Sequence, residues 1–309
     1  MALIPPDRAQ REAVLTGIDA TQAEIESSKK VLREWLKQNP HLPQNISDNN
    51  LSTFIIQSKN RMQKAKDWVE SYYTRHLSGL PEFFANPDPA ASEIQDSFDI
   101  VSLAICPQMT PMGERVQIFK LEDADPSKYN PEAITKRAYM IVDIRLTEES
   151  LEGGEVGIFD MKDFTMEHIV VKLTPMVLKK MIQSTKVVPC RLKKIIFINA
   201  PSMFDTLVMI LKTFLNEKLR KRLYVYSGDH TNLYQHVPRH ILPKDYGGDD
   251  LPIKELSDYW RGRLLKARDW FLDESIQQAD ESKRIGEFKH RLGQEIFGLE
   301  GSFKNIVID

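Results

Sequence analysis

Three stretches of the sequence decide the fold: GGEVGIFDMKDF (153–164), VVPCRLKKIIFINAPSMF (187–204) and FLNEKLRKRLYVYSGDHTNLYQHVPRHILPKDYGG (214–248). Each contains a short apolar run typical of a β-strand, and we expect these strands at 155–160, 194–199 and 222–226. The run Ile-Ile-Phe-Ile in the second strand lacks polar alternation, which is typical of a central strand covered on both faces. The three stretches therefore predict the middle of a buried sheet.

The sequence around these stretches alternates between strand and helix patterns. Two further strands are expected at 100–105 and 115–121. Helices are expected at 131–149, 174–185, 202–215 and 253–275. Strands that alternate with helices predict an α/β fold in which at least some strand pairs are parallel.

The first 86 residues are predicted to be helical instead. Asp7 is a candidate helix N-cap, and apolar residues recur at helical spacing from Val14 to Leu36, which predicts a helix that ends near residue 39. Further helices are expected after Ser47 and over 65–77. Asn-Pro-Asp-Pro at 86–89 is typical of a turn or linker. We therefore predict three parts: a helical domain at 1–86, an α/β domain at 90–250, and a C-terminal helix and tail at 251–309.

Composition narrows the class of protein. The chain has 309 residues, 41% hydrophobic and 28% charged, with a net charge of −2, so its overall charge does not favour a nucleic-acid partner. The N-terminus lacks the apolar core of a signal peptide, Ala2 excludes N-myristoylation, and no apolar run is long enough to span a bilayer. Cys106 and Cys190 are expected to be reduced structural thiols. These features predict a monomeric cytoplasmic protein that meets membranes only transiently.

The usual catalytic motifs are missing from the sequence. No GxGxxG follows a strand, and neither a P-loop nor a GxSxG nucleophile elbow occurs. His168 is the best candidate base, but no nucleophile motif accompanies it, which favours a capping or helix-face role. Asp160 and Asp163 are expected to serve at a strand end and a turn. We therefore predict that the chain has no catalytic residue, metal ion or cofactor and is not an enzyme.

The three ordered stretches resemble the CRAL-TRIO lipid-transfer family, in particular its tocopherol-transfer-like and retinaldehyde-binding-like branch. The resemblance covers roughly residues 30–260, and LPKDYGG (242–248) is its strongest single piece. It implies a small N-terminal helical domain followed by a CRAL-TRIO α/β domain with a lipid pocket under a lid helix. The chain departs from the family pattern at Ile196, where a histidine is usual, at Thr213, at Ile56, where an arginine is common, and at Glu155, where an apolar residue is common.

The resemblance implies that the helix at 202–215 is a mobile lid. Its wide apolar stripe alone favours a core-facing helix, and only the resemblance favours the lid. The residues expected to bind the hydrophobic ligand are apolar side chains of helices and strands around the pocket. They are Ile134, Ala138, Ile141, Phe159, Phe164, Leu173, Met181, Val188, Ile195, Met203, Phe204, Leu207, Ile210, Leu211 and Phe214.

Basic residues flank the expected lid on both sides. The resemblance places Arg191, Lys193, Lys218 and Arg222 at positions that hold a phosphoinositide headgroup in the tocopherol-transfer branch, although such charges are often simply solvated. The leading hypothesis is a cytosolic transfer protein for a tocopherol, retinoid, carotenoid or similar isoprenoid that docks on a phosphoinositide-containing membrane. A ligand-gated sensor or scaffold that presents a surface to a protein partner is the alternative, and a lipid isomerase or hydrolase is a third possibility.

Overall fold

The computed structural model describes residues 2–149, 152–202, 204–273 and 278–286. The chain begins with six helices. They are α1 (Arg8–Thr16), α2 (Gln22–Lys37), α3 (Asp48–Gln57), α4 (Met62–Tyr73), α5 (Pro81–Phe84) and α6 (Ser92–Ile100). The first four enclose an apolar core of their own that includes Ile25, Leu32 and Phe54.

Side-chain caps set where the first helices begin. Asp7 accepts a hydrogen bond from the backbone N–H of Gln10 at 2.8 Å, as its predicted N-cap role requires. The prediction of one continuous helix to residue 39 is wrong. The chain turns at Asp19, whose φ is 54°, and Thr21 then caps α2 as a new helix. The apolar spacing continues across this break, because both helices turn their apolar faces to the same core.

The helical region is joined to the rest of the chain by buried polar contacts. Arg75 binds Asp143 through two hydrogen bonds of 2.6 and 2.7 Å, and the hydroxyl of Tyr72 donates to the same carboxylate at 2.7 Å. Asp143 lies on α7 (Pro131–Glu148), which packs against the sheet. This pairing compensates the charges of two buried ions and fixes the position of α4 against α7.

Five strands form one sheet in sequential order: β1 (Val101–Met109), β2 (Glu114–Leu121), β3 (Gly154–Asp160), β4 (Leu192–Ile198) and β5 (Leu223–Val225). β1 and β2 are antiparallel, and the other neighbouring pairs are parallel. The predicted α/β class is confirmed. The central run from β4 is buried at residues 196–198, as its unbroken apolar sequence indicates.

The two faces of the sheet are covered differently. One face packs against the irregular segment at 230–246 in a dense apolar core. The opposite face meets α7, α8 (Pro175–Ser184) and α9 (Phe204–Phe214), and a short helix α10 (Glu217–Arg220) follows α9. Tyr246, from the LPKDYGG segment, donates a hydrogen bond to Asp160 at 3.0 Å and so fixes that segment to the end of β3.

The C-terminal helix differs from the expected single helix at 253–275. Its first part is α11 (Ile253–Lys266), which packs on β1, and the backbone then bends at Ala267 into the short α12 (Arg268–Leu272). Beyond it, residues 278–286 return to the helical region, where the N–H groups of Ala279 and Asp280 donate to backbone carbonyls of Tyr73 and His41.

Candidate functional site

A cavity of about 370 Å³ lies between the sheet and helices α7, α8 and α9. Its wall is built mainly of apolar side chains. Within the strands the wall residues alternate, as at Gln117 and Phe119, because successive side chains of a strand point to opposite faces of a sheet, whereas at the ends of β2 and β3 consecutive residues line the cavity. The helices contribute residues at helical spacing. The wall of the cavity is therefore formed by the domain itself.

Three phenylalanine rings form a row across the floor of the cavity. Phe119, Phe159 and Phe197 are register partners on β2, β3 and β4. The ring centroids are 4.8 Å apart between Phe119 and Phe159 and 5.1 Å apart between Phe159 and Phe197, and both pairs are stacked. This row offers a broad, rigid apolar surface.

Most of the predicted ligand-binding residues lie on the cavity wall, although their contact with a ligand remains a prediction. The residues brought together there are Ile134, Ala138, Phe159, Phe164, Leu173, Met181, Val188, Ile195, Leu207 and Leu211. Met203 lies outside the described residues.

Four predicted residues lie away from the wall. Ile141 packs beyond the cavity wall, in the core that contains Phe98 and Leu103. Phe204 is buried against Phe197, with ring centroids 4.8 Å apart. Ile210 and Phe214 pack in the surrounding core, because Leu207 and Leu211, one turn apart, form the stripe of α9 that faces the cavity.

Several wall residues were missed by the sequence interpretation. They include Gln117, Phe119, Leu121, Tyr129, Leu178, Cys190, Leu192, Phe197 and Leu223. The alternation of side chains between the two faces of a strand could have indicated those wall residues that lie on strands. Phe119 and Phe197 follow from Phe159 once the register of the parallel strands is known, but register depends on pairing between distant segments.

A buried charged cluster lies next to one end of the cavity. The Arg145 guanidinium contacts three carboxylates at 2.9, 2.8 and 2.7 Å, those of Glu149, Glu152 and Glu155. Burial and the neighbouring charge of Glu155 hold the pKa of Glu152 well above its ordinary value. Burial opposes ionisation of Glu149 too, but Arg145 and Arg115 keep its pKa below the usual range. Glu155, which departs from the family pattern at a position where an apolar residue is common, is buried in this cluster.

The residues considered for catalysis have structural partners. The backbone N–H of Thr165 donates to Nδ1 of His168 at 3.2 Å, and burial lowers the pKa of this histidine. Asp160 accepts from Asn199 at 2.7 Å, and Asp163 occupies a turn with a φ of 66°. No cluster of three or more potential metal ligands occurs in the part of the chain that the structure describes.

The two cysteines are both unpaired thiols. Burial raises the pKa of the Cys106 thiol, and it raises the pKa of the Cys190 thiol well above its ordinary value. Both are therefore uncharged near neutral pH. Cys190 lies on the cavity wall, and Cys106 lies in the core on the opposite face of the sheet.

The predicted basic residues interact electrostatically with residues of the helical region. Burial lowers the pKa of Lys218, and so do the nearby charges of Arg222, Lys59, Arg191 and Arg61. We call the following residues the basic cluster: Lys59, Arg61, Lys64, Arg191, Lys193, Lys218 and Arg222. Within the described ranges, none of them forms an ion pair with a carboxylate within 4 Å.

The loop between α3 and α4 supplies the part of the basic cluster that sequence reasoning missed. Burial lowers the pKa of Lys64, and so do the charges of Lys218, Arg191, Arg61 and Lys59. A basic composition at 59–64 was visible in the sequence. Its proximity to Lys218 was not, because it depends on how the helical region packs against the sheet domain.

Comparison with known proteins places the fold in a family. Residues 102–248 match the CRAL/TRIO domain, and residues 21–94 match the Pinta-like UBA domain. The chain therefore contains a CRAL/TRIO domain behind a helical domain, and the predicted resemblance to the CRAL-TRIO family is confirmed.

Individual relatives extend this likeness along most of the chain. The alpha-tocopherol transfer protein-like protein of Mus musculus is 27% identical over 289 residues, which are 90% of this chain and 82% of the relative. The protein of the same name from Homo sapiens is 28% identical and covers 80% of this chain and 72% of the relative. Clavesin-2 of Homo sapiens is 28% identical over 138 residues, 44% of this chain and 42% of the relative.

No helix among the described residues is long and apolar enough to cross a membrane.

Proposed function

We propose that this protein binds a hydrophobic lipid in the cavity beneath α9 and transfers it between membranes. The ligand would be a tocopherol, a retinoid, a carotenoid or a similar isoprenoid. The apolar cavity of about 370 Å³ carries this proposal, and the names of the tocopherol-transfer-like relatives support it. The function needs no covalent chemistry, so the ligand would be recovered unchanged.

A ligand bound in this cavity would escape into water slowly. Burying about 400 Å² of apolar ligand surface at about 25 cal/mol/Å² contributes on the order of 10 kcal/mol before ordering costs. Such a carrier needs a way to open. α9 suits this role because it closes one side of the cavity with Leu207 and Leu211.

Contact with a membrane would supply the opening step. Exposed apolar side chains lie on the segment before α8, on α8 and on α9: Met166, Val170, Val171, Met176 and Met209. These would contact acyl chains, while the basic cluster would bind phosphoinositide headgroups, each cation contributing about 1 kcal/mol near an anionic surface. The protein would be a cytoplasmic monomer that binds membranes reversibly.

A transfer assay between vesicles tests this proposal. Fluorescent tocopherol would move from donor vesicles to acceptor vesicles with and without phosphatidylinositol bisphosphate. We expect the protein to accelerate transfer, and Lys218→Glu with Arg222→Glu to reduce binding to the phosphoinositide vesicles. Lys254→Glu with Lys266→Glu, both on α11 and outside the basic cluster, changes the net charge equally and should leave binding intact. Equal binding by both double variants would contradict the docking site.

The same assay separates transfer from the sensor or scaffold alternative. A sensor would bind the lipid and close α9 over it without accelerating movement between vesicles. Tight tocopherol binding with no acceleration at any vesicle composition would therefore favour the alternative. Failure to bind any of the hydrophobic ligands would contradict both functions.

A further inference from the structure

One wall residue of the cavity is polar and without a partner. Gln117 lies on β2, on the same face as Phe119, and lines the cavity. Among the residues that the structure describes, its side-chain carboxamide has no hydrogen-bond partner. An amide left unpaired in apolar surroundings costs free energy unless a bound molecule satisfies it.

Most of the other polar side chains on the described part of the wall are already engaged, the hydroxyl of Tyr129 being an exception. The hydroxyl of Thr135 donates to the carbonyl of Pro131 at 2.7 Å, and that of Thr185 donates to Ile182 at 2.7 Å. Tyr139 and Ser184 share a hydrogen bond of 2.6 Å. The Cys190 thiol is only a weak hydrogen-bonding group. Gln117 and the hydroxyl of Tyr129 thus remain without a hydrogen-bond partner on the described part of the wall, and of the two only Gln117 lies on the sheet beside the phenylalanine row.

Gln117 lies on the cavity floor between an aromatic region and a charged region. It pairs in register with Gly157 on β3, which pairs in turn with Ile195 on β4. Gly157 has no side chain, so a ligand can approach the backbone beside the carboxamide. Two residues further along the strands lies the stacked phenylalanine row, and two residues back β2 and β3 carry the pair Arg115 and Glu155. Along the strands, the cavity floor therefore changes from aromatic side chains to the carboxamide of Gln117 and then to charged side chains.

Ion pairs occupy the charged end of the floor. Glu155 and Glu152 contact Arg145, and these residues line a small adjoining cavity that shares Val142 and Cys190 with the main one. Since the charges compensate one another, this end does not require a charged headgroup. A carboxamide offers two donors and an acceptor without a net charge, which suits a hydroxyl or carbonyl group.

We propose that Gln117 binds the single neutral polar group of the lipid, a hydroxyl or a carbonyl, and thereby orients the ligand in the cavity. The polar end lies at Gln117 and Gly157, and the apolar body lies over the phenylalanine row beneath α9. This inference rests on the proposed function, and it narrows the ligand to an apolar lipid with one neutral hydrogen-bonding end.

Paired probes that differ only at the polar end test this orientation. Geranylgeraniol and geranylgeranyl methyl ether have the same C20 chain, but only the alcohol can donate a hydrogen bond. Affinities would be measured by displacement of tritiated geranylgeraniol from the full chain. We expect the protein to bind the alcohol about tenfold more tightly than the ether, as one added hydrogen bond allows.

Two variants show whether Gln117 is responsible. Gln117→Met keeps the length of the side chain and should reduce the preference to less than about twofold. It should bind the ether at least as well as the unchanged protein, because no amide is left unpaired. Thr135→Val removes a wall hydroxyl that is already bonded and should keep the full preference.

The outcomes separate this inference from the function on which it rests. Equal binding of both probes by the unchanged protein, or a preference that survives in Gln117→Met, would overturn the role of Gln117 and leave lipid binding intact. Failure of the unchanged protein to bind either probe would overturn both. Matching thermal unfolding of the variants would show that lost selectivity does not arise from lost structure.

Discussion

A larger side chain at Ala138 should fill the cavity without damaging the core. Ala138 lies on α7 and lines the cavity, where it is partly exposed although it is inside the domain. In Ala138→Phe the new ring can enter the cavity instead of displacing packed atoms. We therefore expect lost lipid binding with little change in the free energy of unfolding.

The size of the effect follows from the surface that the ring would cover. A buried aromatic side chain covers about 150–250 Å². If about half of this surface is cavity wall that the ligand would otherwise contact, the ligand loses about 100 Å² of buried apolar area. At about 25 cal/mol/Å² this loss is about 2.5 kcal/mol, or on the order of 60-fold in affinity. A ligand that needs the whole cavity would lose more.

Ile141→Phe is the matched control on the same helix. Ile141 is fully buried in the core that contains Phe98 and Leu103 and does not line the cavity, so the larger ring should destabilise the fold by about 1–3 kcal/mol. Binding of tritiated geranylgeraniol and denaturant unfolding would be measured for both variants. Full affinity in Ala138→Phe, or a loss of stability as large as in Ile141→Phe, would refute the placement of the cavity against Ala138.

Two further predictions concern buried charges. Asp143→Asn leaves Arg75 buried with less compensation and should cost about 3–5 kcal/mol in denaturant unfolding, whereas the double variant Arg75→Met with Asp143→Leu should recover most of that loss. Glu152 has a raised pKa because it is buried beside Glu155, so its stabilising contribution is complete below the ordinary glutamate value of 4.5 and is lost as pH rises toward the raised pKa. Glu152→Gln should flatten this pH dependence above the ordinary glutamate value of 4.5, and an unchanged slope would contradict the assignment.

The fold was predictable where local signals agree with packing. Asp7 and Ser47 cap helices as their sequence context indicates, and the apolar run in β4 forms a central strand. The residues at which helices begin and end were less predictable. The break at Asp19 depends on a left-handed backbone conformation that the apolar periodicity of the flanking helices does not record. The bend at Ala267 similarly interrupts a continuous helical pattern.

The cavity was harder to predict than the fold, and α7 shows why. This helix has buried residues on most of its circumference, because it lies between the cavity on one side and α6 and α11 on the other. Periodicity selects a face only when one side of a helix is polar. Ile134 and Ile141 therefore carried the same signal in the sequence, although they lie in different cores.

The arrangement around α9 links membrane docking to ligand release. Leu211 and Leu215 line the cavity at the end of the lid, and Leu219 on α10 lines it too. Lys218, the neighbour of Leu219, belongs to the basic cluster. A headgroup that binds Lys218 would therefore act directly beside a wall residue, four residues after the end of α9 at Phe214. In the proposed function, the cations that bind the membrane surface therefore lie next to α9, the helix that closes the cavity. Opening would then need no signal from a distant site.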